Sequence, residues 1–166
     1  LLGSGTIYYS IFENDEEFSD LFKVRADFSD TMQRDQEHEL SYAEFVAARS
    51  QEEKLRPFGR AAVAKIIEHG ARLAEHQCKL STRFGAIADL VREADYWAGT
   101  NNHDCVTAED VQQALDERTH RSNLAAEHLR EEILEGLLFI ATEGSVVGQV
   151  NGLSVSEIGE FTFGQP

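Results

Sequence analysis

The sequence predicts a mainly helical protein of the α+β class, in which a helical bundle lies between short strands. Three observations support this prediction. Residues 38–136 carry apolar side chains at helical spacing almost throughout. Residues 1–30 mix short apolar runs with acidic residues, and residues 137–166 change to apolar stretches with Glu-Gly and Asn-Gly turn signals.

Composition indicates a folded, acidic protein. Of its 166 residues, 42% are hydrophobic and 27% are charged, and 15 Lys and Arg against 30 Asp and Glu give a net charge of −15. A protein that binds nucleic acid or an anionic membrane surface needs clustered cations, so we expect no nucleic-acid partner. No apolar run is long enough to span a membrane, so we expect no membrane contact, and the first residues lack the features of a signal peptide.

The cysteines and histidines show no pattern of a disulfide or metal site. Cys78 and Cys105 stand apart, without a CxxC spacing, and we expect two free thiols in a reducing compartment, hence a cytoplasmic protein. The six histidines form no HExxH and have no ligand-like carboxylate spacing. The sequence therefore predicts no metal site.

Within residues 1–30 we predict strands and one helix. LLGSG is typical of a strand that ends in a glycine-containing loop. Residues 15–22 place Phe18, Leu21 and Phe22 on one side of a helix, and residues 23–28 alternate enough for a short strand.

The region 38–136 divides into five predicted helices with short connections, which is typical of a bundle. Ser41 is the predicted N-cap of the first helix, and Pro57 separates it from the second, over residues 61–76. The predicted buried stripe of this second helix consists of Ala64, Ile67, Ala71 and Ala74.

Capping signals mark the last three helices. Ser81 is the predicted N-cap of the third, and Thr107 with Asp110 forms a capping box at the start of the fourth. The fifth runs over residues 123–135 and stops at Gly136. The residues that we predict to be buried in the bundle are Phe45, Ile67, Phe84, Ile87, Val91, Trp97 and Leu115.

The last thirty residues predict a β-hairpin with turns at residues 143–144 and 151–152, and such a hairpin has too few strands to form a stable sheet alone. We therefore expect it to open a second domain, and we expect both chain ends to be cut from a longer protein. The sequence contains no GxxxxGK[ST] loop, no GxSxG and no credible Ser/His/Asp set, so it predicts no complete active site.

Three stretches resemble Lon-type ATP-dependent proteases of the LonB/LonC-like branch. EGSVVGQVNGLSVSEIGEFTFGQP resembles the start of their proteolytic domain, and LSTRFGAIADLVREADYWA with VTAEDVQQAL resembles the helical lid of their AAA+ module. LLGSGTIYYSIFENDEEFSDLFKVRADF resembles the last strands of the AAA+ nucleotide-binding core. The resemblance implies an AAA+ core end at 1–30, a lid at 31–136 and the first hairpin of the protease domain at 137–166.

The same resemblance implies a function for the parent protein. It would be a serine protease that couples ATP hydrolysis, with Mg, in a homo-oligomeric ring to the cleavage of protein substrates. Its Ser–Lys dyad and its Walker segments would lie outside this chain, which therefore would have no catalytic residue. We expect the chain alone to be inactive and to bind no cofactor tightly.

The resemblance also assigns three nucleotide-site residues. Arg83 lies where a helix begins, a place that disfavours cations unless an anion is held there, and it matches the lid arginine called sensor 2. Ser4 matches the polar sensor-1 position, which is often Asn. Arg25 is a candidate arginine finger, and the alternative for it is an ion pair with Asp27.

Two other interpretations stay open from the sequence. The chain could be a stand-alone acidic helical module that binds a partner protein, which its net charge of −15 allows. It could also belong to a Lon-like protein with a degenerate ATPase, because Ser4 and Leu21 stand where relatives have Asn and Arg.

Overall fold

The computed structural model describes residues 3–138, 140–141, 143–148, 150, 152–158 and 161–165. The chain divides into two compact units, Leu1–Asp30 and Thr31–Pro166. Over the described residues, seven helices and two pairs of antiparallel strands are present, which confirms the mainly helical class.

The first unit contains two helices and no strand among its described residues. Helix α1 is Gly5–Asn14 and helix α2 is Phe18–Leu21, so the predicted helix at 15–22 is present in shortened form. The predicted strand at 23–28 is wrong, because these residues have no regular secondary structure and no described strand of the unit pairs with them. The first two residues of the predicted LLGSG strand lie outside the described residues, and the predicted loop gives way to α1 at Gly5.

The second unit is the predicted bundle, built from five helices. Its elements are β1 (Thr31–Gln33), α3 (Gln36–Glu52), α4 (Arg60–Leu73), β2 (Lys79–Ser81), α5 (Phe84–Thr100), α6 (Ala108–Ser122) and α7 (Leu124–Leu134). Strands β1 and β2 pair antiparallel, with Thr31 opposite Ser81. Each strand has three residues, too few to show an alternating pattern in the sequence.

Two of the predicted helix starts are wrong. Helix α3 begins after Asp35, whose Oδ1 accepts the His38 N–H at 2.9 Å, whereas Ser41 lies inside the helix and donates to the Glu37 carbonyl. The first turn of α3 is polar, so hydrophobic periodicity could not show it. Ser81 lies in β2 and does not cap α5.

The boundaries of α6 and α7 agree with the sequence, whereas α4 ends at Leu73, before the predicted end at residue 76. The capping box at α6 is present, with the Thr107 side chain accepting the Asp110 N–H and the Asp110 side chain accepting the Thr107 N–H. Helix α7 follows Asn123 and ends before Gly136, whose φ of +75° is favourable for glycine. The side-chain chemistry of these boundaries is local, which makes them readable from sequence.

The bundle core confirms part of the predicted burial. Ile87 and Val91 are fully buried, whereas the other five predicted residues lie half-buried against the core: Phe45, Ile67, Phe84, Trp97 and Leu115. The predicted stripe on α4 is right for Ala71, which is buried, but wrong for Ala64, which is exposed, and it misses Ile66 and Gly70, which are buried. A Cβ on Gly70 would lie 2.7 Å from the Tyr42 ring, so this contact requires glycine and fixes the register.

A hairpin is present near the C-terminus, later than predicted. Strands β3 (Ser154–Ile158) and β4 (Phe161–Gln165) pair antiparallel, with Ile158 opposite Phe161. The described residues between 137 and 153 contain no strand, so the predicted turn at 143–144 does not join two strands. The predicted turn at 151–152 lies partly outside the described residues. Val147 and Val150 are almost fully exposed, so this apolar stretch has no described surface on which to pack.

Candidate functional site

Arg83 lies at the junction of β2 and α5, where the sequence places it. It is the N-cap residue of α5, and its backbone N–H donates to Ser81 Oγ at 3.2 Å. No side chain caps the helix, and a Cβ on Gly85, in the first turn, would meet nothing within 4 Å. In the first turn, the Phe84 N–H donates to the Thr82 carbonyl at 2.8 Å and the Ala86 N–H donates to the Arg83 carbonyl at 3.0 Å. The helix start therefore offers the Gly85 N–H, the positive end of the helix dipole and open space beside an exposed guanidinium.

Tyr42 anchors this junction from α3. Its hydroxyl donates to the Ser81 carbonyl, two residues before Arg83, while its ring is fully buried against Gly70 of α4. Burial raises the pKa of Tyr42 to about 12, so the hydroxyl stays protonated and remains a donor at neutral pH. Two helices of the bundle thus fix the backbone that leads into Arg83.

The residue after Arg83 is held by aromatic packing. The Phe84 ring lies 5.4 Å from the Tyr42 ring and 4.9 Å from the Phe45 ring, measured between centroids. Such tilted pairs add to the burial energy of each ring. Arg83 therefore lies between a hydrogen-bonded strand end and a packed helix start, and its backbone position is well defined.

Arg83 also lines a groove of about 980 Å³ between helices α4, α5 and α6. We call it the cationic groove, because six Lys and Arg residues line it against four Asp and Glu. Its cations are Lys65, Arg72, Arg83, Arg92, Arg118 and Arg121, and its carboxylates are Glu68, Asp89, Glu93 and Asp116. Leu73, Ala86 and Leu115, which are half-buried, add apolar surface.

Two carboxylates of the cationic groove are each shared by two cations. Glu68 accepts from Arg72 at 2.6 Å and from Lys65 at 3.3 Å, and the hydrogen bond from Arg72 is the main cause that lowers the pKa of Glu68. Glu93 accepts from Arg118 Nε at 2.9 Å and from Arg121 Nη2 at 2.8 Å, which joins α5 to α6. Each set keeps one positive charge in excess.

Arg92 makes the opposite arrangement, with one cation between two carboxylates. Its Nε and Nη2 both bind Glu53 at 2.7 Å, and its Nη1 binds Asp89 at 2.6 Å. The hydrogen bonds with Glu53 raise the pKa of Arg92 and lower the pKa of Glu53. This two-point contact ties α3 to α5 and makes Arg92 a structural cation of the groove.

Ser4 and Arg25 belong to the first unit. Ser4 is the N-cap of α1 and its hydroxyl accepts the Ile7 N–H at 3.3 Å. Arg25 donates from Nη1 to the Tyr9 hydroxyl at 2.9 Å and from Nε to Asp27 at 2.7 Å, so the ion pair weighed in the sequence is present. The Arg25 guanidinium also lies 4.4 Å from the centroid of the Tyr8 ring.

The groove cations other than Arg83 were missed in the sequence. A signal for them exists, because Lys65 and Arg72 are seven residues apart on α4, and Arg118 and Arg121 are three residues apart on α6. The sequence could show that each pair shares a helix face, but only the packing of the helices shows that both faces meet in one groove.

Neither a metal site nor a membrane span is found in the described part of the chain. There, no group of three or more His, Cys, Asp or Glu side chains could hold a metal ion. The helices found among these residues are too short or too polar to cross a bilayer. Cys78 and Cys105 are exposed and unbridged.

Family models and related proteins match most of the chain. Residues 57–121 match the family model of the archaeal LonB AAA+ ATPase lid domain, and residues 1–29 match that of the LonB-like AAA domain. An archaeal Lon protease of Archaeoglobus fulgidus is 36% identical over 134 residues, which are 80% of this chain and 21% of that protein. An archaeal Lon protease of Thermoplasma volcanium is 32% identical over 130 residues, 76% of this chain and 19% of that protein.

A bacterial relative matches over a longer stretch. A putative Lon protease homolog of Escherichia coli is 28% identical over 148 residues, which are 86% of this chain and 24% of that protein. The chain therefore spans about a fifth to a quarter of the length of the relatives that it matches.

Proposed function

Because this chain belongs to the LonB-like branch of the Lon protease family, we propose that it is the part of an ATP-dependent protease that senses bound nucleotide. In this proposal residues 31–136 are the lid, residues 1–30 end the AAA+ core, and residues 137–166 begin the proteolytic domain. The parent would be a homo-oligomeric cytoplasmic ring that cleaves protein substrates with a Ser–Lys dyad outside this chain. The chain alone would be inactive.

The observation that carries the proposal is the position of Arg83. A guanidinium beside a helix start without a side-chain cap fits a phosphate group, because the helix dipole, the Gly85 N–H and the side chain all favour an anion there. ATP would supply the phosphate and, in the parent, the Mg ion. The residues that hold the site in shape are Ser81 and Tyr42, which fix the backbone on the N-terminal side of Arg83.

The lid also has a route by which motion at Arg83 could reach the C-terminal residues. Helix α5 packs along α6, and Arg118 and Arg121 of α6 both bind Glu93 of α5. Asn123 alone separates α6 from α7, so the two helices are joined without a flexible loop. We propose that this connection passes lid motion towards the proteolytic domain.

Ser4 and Arg25 complete the proposal in the first unit. Ser4 would position a water molecule as sensor 1, with the hydrogen that its hydroxyl does not need for capping α1. Arg25 would act as the arginine finger of a neighbouring subunit, and its contacts with Tyr9 and Asp27 would have to exchange for a phosphate contact. Both roles rest on the family resemblance.

The test compares Arg83→Ala and Arg83→Lys with the unchanged full-length protein. ATPase activity and ATP-stimulated proteolysis should fall in Arg83→Ala by a factor between about ten and about a hundred, the loss of one charged hydrogen bond. Lys keeps the charge but not the planar fork, so Arg83→Lys should recover only part of this loss.

The matched control is Arg49→Ala, which removes a half-buried arginine of α3 that pairs with Glu52 and Glu53 and does not line the cationic groove. The Arg83 variants should melt close to the unchanged protein, because a cation at a helix start does not stabilise the helix. Equal turnover in the Arg83 variants and the control would overturn the proposal. A much lower melting temperature for Arg83→Ala alone would make its role structural.

A further inference from the structure

The cationic groove holds more positive charge than the nucleotide contact proposed for Arg83 requires. Lys65 and Arg72 lie on the α4 wall, and Arg118 and Arg121 lie on the α6 wall. The whole chain has twice as many acidic as basic side chains, yet this groove has more basic ones. In a chain of net charge −15, such a concentration marks a local site for an anionic group.

The cations on both walls have N–H donors that can bind a further anionic group. The contacts with Glu93 use Nε of Arg118 and Nη2 of Arg121, and a guanidinium has five N–H donors in all. The two cations at Glu68 exceed its single negative charge in the same way. On each wall, two cations share one carboxylate of the chain. A carboxylate from a ligand would therefore balance the second positive charge on each wall.

The apolar surface of the groove narrows the class of ligand. Leu73, Ala86 and Leu115 line the groove. Leu73 and Leu115 also pack against the bundle core. A phosphate chain or a nucleic acid backbone would leave these side chains without a partner, and the net charge of the chain would repel a long polyanion. A peptide offers carboxylates and apolar side chains together.

We propose that the cationic groove between α4, α5 and α6 binds an acidic peptide segment of a partner protein, with an apolar side chain of that segment against Leu73 and Leu115. The volume of about 980 Å³ suits a short segment. Carboxylates of the segment bind Lys65 and Arg72 on one wall and Arg118 and Arg121 on the other. This role goes beyond nucleotide sensing.

The test measures fluorescence anisotropy of a labelled synthetic peptide that alternates glutamate and leucine, with the 166-residue chain and no nucleotide. We expect saturable binding that weakens as salt rises. The double variant Arg118→Gln/Arg121→Gln should bind at least about tenfold more weakly, since about 1.4 kcal/mol is a factor of ten. Arg49→Gln, the matched control outside the groove, should bind like the unchanged chain.

Further measurements separate the alternatives. The variant Lys65→Gln/Arg72→Gln tests the α4 wall and should also weaken binding. If one of the two double variants does not fold, the other still tests the proposal. No binding, equal binding by all variants, or equal weakening by Arg49→Gln would overturn the proposal. Tighter binding of sodium tripolyphosphate or duplex DNA than of the peptide would overturn it too, if the Arg118→Gln/Arg121→Gln variant loses that binding, because tripolyphosphate held by Arg83 alone is expected from the nucleotide proposal. All these variants retain Arg83, so a failure here leaves the nucleotide proposal unaffected.

Discussion

Replacing Asp110 by Asn should remove a pH-dependent part of the stability of the bundle. Asp110 is fully buried at the start of α6. Its carboxylate accepts from the Thr107 N–H at 2.9 Å and from the Asn101 side-chain amide at 2.8 Å. It also accepts from His103 Nδ1 at 2.9 Å when that nitrogen carries a proton. These contacts join the end of α5, the following loop and the start of α6.

The size of the effect follows from the pKa of Asp110. Burial by itself raises this pKa, but the hydrogen bonds from Thr107, Asn101 and His103 outweigh burial and lower it from 3.8 to about 2. At about 1.4 kcal/mol for each pH unit, the ionised carboxylate contributes roughly 2 kcal/mol to stability. Because the folded-state pKa is the lower one, this contribution is present above about pH 4 and is lost as the pH falls towards 2.

The assay is denaturant unfolding of the unchanged chain and Asp110→Asn from pH 7 to pH 2. Asn keeps the shape of the side chain but not the charge, so the variant should be less stable by roughly 2 kcal/mol at pH 7, and the difference should shrink below pH 4. Asp116→Asn, on the exposed face of α6, is the matched control and should change little at any pH. A difference for Asp110→Asn that stays constant from pH 7 to pH 2 would refute the reasoning.

Three further predictions concern packing and order. Ile87→Ala should cost about 2–4 kcal/mol in denaturant unfolding, because Ile87 is fully buried, and an unchanged midpoint would contradict this register. Gly70→Ala should lower the free energy of unfolding by about 1–3 kcal/mol, because it forces a Cβ against Tyr42. Gly85→Ala should be neutral or stabilising, because a Cβ at residue 85 meets nothing within 4 Å, and denaturant unfolding measures both variants. Amides in residues 154–158 should exchange hydrogen faster than those of the bundle core, and equal protection in a dilute monomer would count against a hairpin that lacks a larger sheet.

Sequence reasoning was most successful where the deciding chemistry is local. The capping box of Thr107 and Asp110 lies within four residues, and the stripe with Ile87 and Val91 repeats along one helix, so both could be predicted. The β1–β2 pair could not, because two three-residue strands pair across the whole of α3 and α4. Gly70 shows the same limit, since its burial depends on the Tyr42 ring from another helix.

The candidate site divides in the same way. The approximate place of Arg83 at the start of α5 could be predicted from the apolar stripe of that helix, although the predicted cap Ser81 lies in β2 and Arg83 itself is the N-cap residue. The anchoring of Ser81 by Tyr42 could not, because it joins residues 39 positions apart. Nor could the sequence show that cations of α4 and α6 line one groove, which depends on how the helices pack.

Hydrogen exchange of the full-length protein, with and without a slowly hydrolysed ATP analogue, tests the contact at Arg83 most directly. If nucleotide phosphate lies at the start of α5, the analogue should slow exchange of the amides of residues 84–86 and leave the last turn of α5 unchanged. Arg83→Ala should abolish this local protection at an analogue concentration that still saturates the protein, whereas Arg49→Ala should keep it. Saturating analogue with no change at residues 84–86 in the unchanged protein would contradict the account.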